Sequence, residues 1–197
     1  MYSGQMIAGI VLAAGGSTRM GRPKMTLPLG GSTVLAASVA PLLEAGLERV
    51  VVVLGADAET VRRQAALADD SRLRVIVHAD WKDGMSSSLR RGLDECAEAD
   101  AVLIALGDQP GMTAERVRAV LEAFRPGVRL VVPVADAVPT HPVLFSRDLF
   151  AELRALTGDV GAREVVRRHE HEAVRIAAEP LADVDTEEDY RRVIGDT

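Results

Sequence analysis

Cysteine occurs once in the 197-residue chain, at Cys96. That excludes an intrachain disulfide and suits a reducing cytoplasm. A basic surplus is also missing: the formal net charge is −6. Bulk nucleic-acid binding, which calls for a basic face, is therefore not expected. A small anionic substrate stays possible, because a few arginines and lysines in one cleft suffice. No apolar run approaches the roughly 20 residues that span a bilayer, so no membrane partner is expected. Residues 1–6 lack a basic n-region, and the apolar run that follows leads into glycines rather than a cleavage site. No secretory signal is expected, and a cytoplasmic location is. Internal repeats and low-complexity segments are absent. What is present is ordinary: 48% hydrophobic and 26% charged residues, the composition of a soluble globular protein. The length suits one compact domain over residues 1–197, with a core that needs no disulfide or metal staple.

Apolar runs punctuate the chain. Residues 7–13, Ile-Ala-Gly-Ile-Val-Leu-Ala, read as a strand buried on both faces, as in a parallel sheet. Further strands are expected at 49–54, 73–77, 101–106, 130–134, 143–145 and 173–176. Helices are expected at 33–45, 58–66, 87–96, 113–124, 147–156, 160–168 and 186–194. Ser32 or Thr33 serves as cap of the first and Gly46 stands past its end, while Thr113 caps the fourth. Strands and helices alternate over the first 125 residues. This predicts right-handed βαβ units and a three-layer α/β/α sandwich around a mostly parallel, Rossmann-like sheet. Residues 135–140 form the least regular stretch and are expected to be mobile.

Ligands of such sheets bind outside the carboxyl ends of the strands. The segment after the first strand therefore matters most: Leu12-Ala13-Ala14-Gly15-Gly16-Ser17-Thr18-Arg19-Met20-Gly21-Arg22-Pro23-Lys24. Glycines let backbone N–H groups approach a phosphate. Arg19, Arg22 and Lys24 add positive charge suited to phosphate oxygens. Two better-known loops do not fit. Gly16 and Gly21 have P-loop spacing, but Arg22-Pro23 follow in place of Lys-Ser/Thr. The dinucleotide fingerprint G-x-G-x-x-G is absent.

The loop resembles the signature of nucleotidyltransferases with the sugar-nucleotide pyrophosphorylase fold, the nucleotide-diphospho-sugar transferase type. Within that group the chain is most similar to molybdenum cofactor cytidylyltransferases. Further matches follow in family order: Gly84-Met85-Ser86-Ser87-Ser88-Leu89, Gly107-Asp108-Gln109-Pro110, His141-Pro142-Val143-Leu144-Phe145, Gly158-Asp159-Val160-Gly161-Ala162-Arg163 and Asp183-Val184-Asp185-Thr186. Together they span nearly the whole chain.

The resemblance implies transfer of CMP from CTP to the terminal phosphate of molybdopterin, with release of pyrophosphate. It implies nucleotide contacts from Leu12, Ala13, Ala14, Gly15, Gly16, Ser17, Arg19, Met20, Gly21 and Lys24, from Ser86, Ser87 and Ser88, and from Gly107 and Asp108. Arg19, Lys24 and Asp108 are the implied catalytic residues. Carboxylate oxygens are hard ligands suited to Mg²⁺, which takes one or two of them plus substrate phosphates. The resemblance assigns the magnesium to Asp108 and Asp185. Other readings stand beside these. Asp-Gln-Pro-Gly is a good turn, Thr186 with Asp189 makes a capping-box-like helix start, and capping alone explains one of the three serines. The acidic run 183–189 lacks the glycine of an EF-hand.

On the acceptor side the resemblance implies His141, Gly161 and Arg163. Family members commonly carry Arg-Gly before His-Pro, where this chain has Pro139-Thr140. That departure bears on the acceptor and leaves the nucleotide half untouched. A guanylyltransferase, a sugar- or alditol-phosphate nucleotidyltransferase, or a nucleotide-binding module without turnover are the rival readings. Hand-over of product to a molybdoenzyme or its chaperone belongs to the expected function. His169-Glu170-His171 is not on one helix face and is expected to be solvent-exposed. Cys96 reads as an inert helix-end thiol, and Trp81 has no evident chemical role.

Overall fold

The computed structural model describes residues 4–195; the first three of the residues read for a leader lie outside it. The chain opens with β1 (Ile7–Ala13), buried along its whole length. A single-turn 3-10 helix, Lys24–Thr26, interrupts the loop that follows. The small hairpin β2 (Pro28–Leu29) and β3 (Ser32–Thr33) comes next. Then follow α1 (Val34–Glu44), β4 (Arg49–Leu54), α2 (Ala58–Gln64), β5 (Leu73–Val77), α3 (Met85–Glu95), β6 (Ala101–Leu106) and α4 (Ala114–Ala123). The second half contains β7 (Leu130–Ala135), β8 (Val138–Pro139), β9 (Val143–Ser146), α5 (Phe150–Ala155), α6 (Arg163–Arg168), β10 (Val174–Ala177) and α7 (Glu187–Gly195). Thr33 and Thr113 cap α1 and α4, their hydroxyls accepting from Ala36 N and Arg116 N.

Apart from the β2–β3 hairpin, the strands form one sheet in the order β10-β7-β9-β6-β1-β4-β5, with β8 paired to β7. All pairs among β6, β1, β4 and β5 are parallel, as is β10 with β7. Only β8 and β9 run against their neighbours. This is a mostly parallel mixed sheet flanked by helices.

Alternate strand residues feed two apolar layers. One unites Ile7, Val11, Val52 and Leu103 with Leu35, Val39 and Leu42 of α1 and Val117, Val120 and Leu121 of α4. The other unites Ala8, Ile10, Val53 and Ile104 with Leu89 and Leu93 of α3, Phe150 and Leu153 of α5, and Val165 and Val166 of α6. Fully burying a Leu or Ile contributes about 1.5–3 kcal/mol. An exposed ion pair such as Arg167–Glu164 contributes no more than ~1 kcal/mol. The two layers, not the surface pairs, hold the sheet.

The structure departs from the sequence reading in four places. Helix α3 begins at Met85, two residues earlier than expected, so Ser86 joins Ser87 and Ser88 inside its first turn. Helix α6 begins at Arg163, three residues later than expected. Residues 135–140 are not irregular: they make a tight hairpin between β7 and β8, with Asp136 and Ala137 both at positive φ, 48° and 65°. Lastly, His169 is not a solvent-exposed residue. Its side chain, 15% exposed, is held by Glu152 on one ring nitrogen and by Glu172 on the other. The expectation rested on i and i+2 not sharing a face, which says nothing about His169 alone.

Candidate active site

The carboxyl ends of β1 and β6 lie side by side, Leu12 opposite Leu106. The loops leaving them therefore emerge together. After β6 the chain turns through Gly107 into Asp108, and after β1 it enters the glycine-rich loop. Within that loop Ser17 Oγ accepts from Lys24 N at 3.0 Å, and Gly21 N donates to Ser17 O at 3.1 Å. These bonds fold the loop back so that Lys24 starts the 3-10 turn with its side chain aimed inward, 11% exposed.

The C-terminal segment supplies the third wall. Val184 N donates to Asp108 O at 2.9 Å, which stitches the 183–185 strip onto the end of β6. Thr186 and Asp189 form a reciprocal cap: Thr186 N donates to Asp189 Oδ2 at 2.9 Å and Asp189 N to Thr186 Oγ1 at 3.1 Å. Because Thr186 and Asp189 do the capping of α7, the Asp185 carboxylate is left for another partner.

That partner is Lys24. Its Nζ donates to Asp108 Oδ2 at 2.6 Å and to Asp185 Oδ1 at 2.8 Å. Arg19 reaches the second oxygen of Asp185 at 2.8 Å. Arg22 pairs with Glu187 at 2.7 Å and lies over the Tyr190 ring. Burial works to lower the Lys24 pKa, but Asp108 and then Asp185 outweigh it, and the ammonium is held above its ordinary value. Asp185 is held below the usual carboxylate range, chiefly by its hydrogen bond from Lys24, with Arg19 adding to it. Asp183 moves the other way, raised by desolvation and by the neighbouring charges of Asp108 and Asp185.

Two carboxylates converging on one ammonium show that the donor set accepts a cation. Oxygen-only donors fit Mg²⁺ or Mn²⁺, which complete their shells with phosphate and water. Among the described residues no group of three or more His, Cys, Asp or Glu forms a closed metal cage. A metal held here by Asp108 and Asp185 therefore completes its shell with water or with substrate oxygens.

Beside this triad opens a cleft of about 630 Å³, a size suited to a small-molecule ligand. Of the residues expected to touch nucleotide, Leu12, Ala14, Gly15, Gly16, Lys24, Ser88 and Asp108 line it. Ala13 and Gly107 are buried and do not line it. Ser17 organises the loop, Gly21 turns it at φ 63°, and Met20 packs toward α7 against Leu27, Val34 and Val184. Ser86 and Ser87 are engaged elsewhere. Ser86 Oγ donates to Gly158 O at 2.7 Å, and Ser87 Oγ donates to Gly84 O at 2.7 Å and contacts His78 Nε2 at 2.9 Å.

Gly84 explains the start of α3. Its φ is 97°, and a Cβ there would stand 2.3 Å from the Gly158 carbonyl carbon. Only glycine lets the 84 turn and the 158–159 turn touch, and their contact closes one end of the cleft. Sequence reasoning passed over Trp81, Lys82 and Asp159, which also line it. The Trp81 ring lies against Gly16 and its Cβ against Gly55. An isolated tryptophan after a strand carries no motif, so only the two facing glycines hinted at it.

The acceptor-side residues are adjacent. Gly161 and Arg163 line a second cleft of about 560 Å³ together with Pro139 and Asp159. Asp159 borders both clefts. His141, joined to Pro142 by a cis peptide bond, lines neither. Desolvation pushes its pKa down to about 4; Asp108 opposes that shift, while Arg116 and Arg163 reinforce it. His141 thus sits within electrostatic reach of both halves of the site. Cys96 is fully buried at the end of α3, its thiol pushed up to about 12 by desolvation, which keeps it inert.

Comparison with known proteins gives the family. Over residues 9–174 the chain matches the model of the MobA-like NTP transferase domain. It is 34% identical to nicotine blue oxidoreductase of Paenarthrobacter nicotinovorans over 82% of each chain. It is 31% identical to purine catabolism protein PucB of Bacillus subtilis over 95% of each, and 26% identical to molybdenum cofactor cytidylyltransferase of Escherichia coli over 92% of each. Among solved structures, Rv0371c of Mycobacterium tuberculosis in complex with manganese superposes with a TM-score of 0.83 at 34% identity, covering 98% of this chain and 100% of that one. A glycine-rich loop and an acidic strand tip meeting around one cation, and a family match over most of the length, make this chain a member of the MobA-like NTP transferase family, a nucleotidyltransferase by class.

Proposed function

We propose that this protein transfers CMP from CTP to the terminal phosphate of a molybdopterin-type acceptor with the help of Mg²⁺. One observation carries the reading: Lys24, Asp108 and Asp185, from three separate parts of the chain, meet at the edge of a nucleotide-sized cleft. The similarity to the cytidylyltransferase of E. coli supports the acceptor, and the manganese complex of the M. tuberculosis structure supports a divalent metal.

In this reading an acceptor phosphate oxygen attacks the α-phosphorus of CTP. A new P–O bond forms, the bond between α-phosphorus and the bridging oxygen breaks, and pyrophosphate leaves with the electron pair. A phosphate monoester has a second pKa near 6, so the nucleophile is already anionic at neutral pH and no general base is needed. Lys24 and Arg19 neutralise the triphosphate and the departing pyrophosphate. The backbone of 14–16 bounds the cleft closely enough to hold phosphates by N–H groups. Bound by Asp108 and Asp185, Mg²⁺ supplies further neutralisation of phosphate charge. Arg163 and Gly161 take the acceptor's phosphate in the adjoining cleft, with His141 nearby and Asp159 between the two. Residues 1–197 act in this as a single nucleotidyltransferase domain.

The test is pyrophosphate release from each of the four nucleoside triphosphates with molybdopterin and Mg²⁺. Release with CTP and formation of the cytidylylated product are expected. Release with GTP alone reassigns the base. One relative carries the name of an oxidoreductase, so oxidation of an added reduced redox cofactor is followed in parallel samples. Oxidation without pyrophosphate release would sink the transfer reading.

A further inference from the structure

The Asp108–Asp185 pair stays together only if the 183–185 strip is held in register with the end of β6, and one side chain next to Asp108 does this. Gln109 is buried, 5% exposed. Its Nε2 donates to Asp183 Oδ1 at 2.7 Å. Its Oε1 is buried with no hydrogen-bond partner. An unpaired buried amide oxygen is unfavourable, and a purely apolar side chain would avoid it. The amide is therefore retained for the bond its nitrogen makes. One residue away on each segment the backbone adds a second link, Val184 N donating to Asp108 O. The two bonds fix both sides of a ladder whose outer rung is the pair of carboxylates on Lys24.

We infer that Gln109 is a positioning residue: through Asp183 it sets the second carboxylate, Asp185, at the distance from Asp108 that lets both hold one divalent cation. This rests on the metal-bearing reading proposed above. The bond also explains why a third acid is tolerated so near the pair. The Gln109 amide answers the Asp183 carboxylate with a donor at 2.7 Å.

The bond geometry discriminates between position and charge. In Gln109→Ala the strip loses its side-chain link to the end of β6 and keeps the backbone one, Val184 N to Asp108 O. In Asp183→Asn the Asn oxygen still accepts from Gln109, while the charge is gone. Outer-sphere partners of metal ligands typically change metal affinity by 10–100-fold.

The experiment titrates Mn²⁺ into the full-length chain in the presence of CTP, read by electron paramagnetic resonance, with thermal melting run in parallel. Gln109→Ala is expected to weaken Mn²⁺ binding at least roughly tenfold, and Asp183→Asn to stay near the parent. CTP binding without metal is expected to be unchanged in both. Equal Mn²⁺ affinity in Gln109→Ala and the parent overturns the inference. So does a loss in Asp183→Asn as large as in Gln109→Ala, because then charge and not position matters. If Gln109→Ala does not fold, Gln109→Glu decides: a like charge facing Asp183 must weaken Mn²⁺ binding more than Asp183→Asn does, and failure to do so overturns the inference. Failure of the parent itself to bind Mn²⁺ sinks the metal reading instead, and is seen before any variant is measured.

Discussion

Asp108 and Asp185 are bridged by a single ammonium, with Lys24 Nζ 2.6 Å from one and 2.8 Å from the other. Lys24 thus stands where a divalent cation would be held by the same two carboxylates. Arg19 completes the charge balance from the solvent side, on the far oxygen of Asp185. All three cations of the glycine-rich loop rest on carboxylates: Lys24 on Asp108 and Asp185, Arg19 on Asp185, Arg22 on Glu187. A triphosphate offers the same cations a competing set of oxygens.

Removing the ammonium separates its two roles. In Lys24→Ala, turnover is expected to fall by about 10²–10³-fold, the usual cost of losing a charge that stabilises a transition state. Mn²⁺ binding in the absence of nucleotide is expected to tighten, because a competing cation is gone and two carboxylates face each other uncompensated. Pyrophosphate release and Mn²⁺ titration on the same preparation check both. Near-parent turnover would reject the role given to Lys24.

Asp108→Ala is expected to abolish turnover while the protein still folds. Asp108 sits at the rim of the sheet, 18% exposed by side chain, outside both apolar layers. Pyrophosphate release and thermal melting are the readouts. Collapse of the melt would move Asp108 from the chemistry to the scaffold.

His141 gives the stability a pH signature. Its folded pKa is pushed down to about 4 from 6.5, first by desolvation. A group with a depressed folded pKa favours its proton-free form in the native state. The unfolded chain therefore takes up the proton first, and stability falls as pH drops from 6.5 toward 4. Asp185, also depressed, loses its contribution only below its ordinary 3.8, outside that window. His141→Gln is expected to flatten the fall of Tm between pH 6.5 and 4, measured by differential scanning fluorimetry. Parallel curves for parent and variant would remove His141 as the cause.

Much of the site was legible because strand ends carry it. A run as apolar as Ile7–Ala13 has one plausible place, the centre of a parallel sheet, and whatever follows it lies at the ligand edge. The same logic placed Asp108 after β6. Asp185 was harder: Thr186 and Asp189 read as a helix cap, and they are one. Nothing local says that capping by Thr186 frees Asp185 for a lysine far away in sequence. Ser86 and Ser87 misled for the converse reason. Three hydroxyls at a helix start suggest a phosphate cradle, yet two of them bind the backbone of Gly158 and Gly84. The bond to Gly158, 72 residues away, leaves no periodicity to detect. The β7–β8 hairpin escaped because its turn residues are Asp136 and Ala137, with no glycine to announce positive φ.

Trp81 is the one tryptophan of the chain and lines the cleft. Its emission should therefore report nucleotide directly. Titration with CTP and Mg²⁺ is expected to give a saturable change, shifted to higher concentration in Lys24→Ala. In Gly55→Ala the new methyl would stand 2.6 Å from Ala14 O and 2.6 Å from Trp81 Cβ. Overpacking of this kind costs about 1–3 kcal/mol, and a blunted emission change should accompany the lower Tm. An emission indifferent to nucleotide would place the ligand away from Trp81.

The hairpin without glycine offers a stabilising substitution. Asp136 and Ala137 both take left-handed backbone conformations between two paired strands, the arrangement of a type I′ turn. Such a conformation costs an L-residue roughly 1–2 kcal/mol. Asparagine and aspartate offset part of it with side-chain hydrogen bonds, but alanine has no such group. Ala137→Gly removes the strain and adds back about 0.5–1 kcal/mol of unfolded-state entropy. The balance favours the folded state by up to about 1 kcal/mol, which for a chain of this size raises Tm by up to roughly 4 °C. Ala137→Val, β-branched at positive φ, is expected to lower Tm. Thermal melting of the three proteins orders them Gly above Ala above Val; a Gly variant below the parent would mean that the turn's strain is already relieved by the strands it joins.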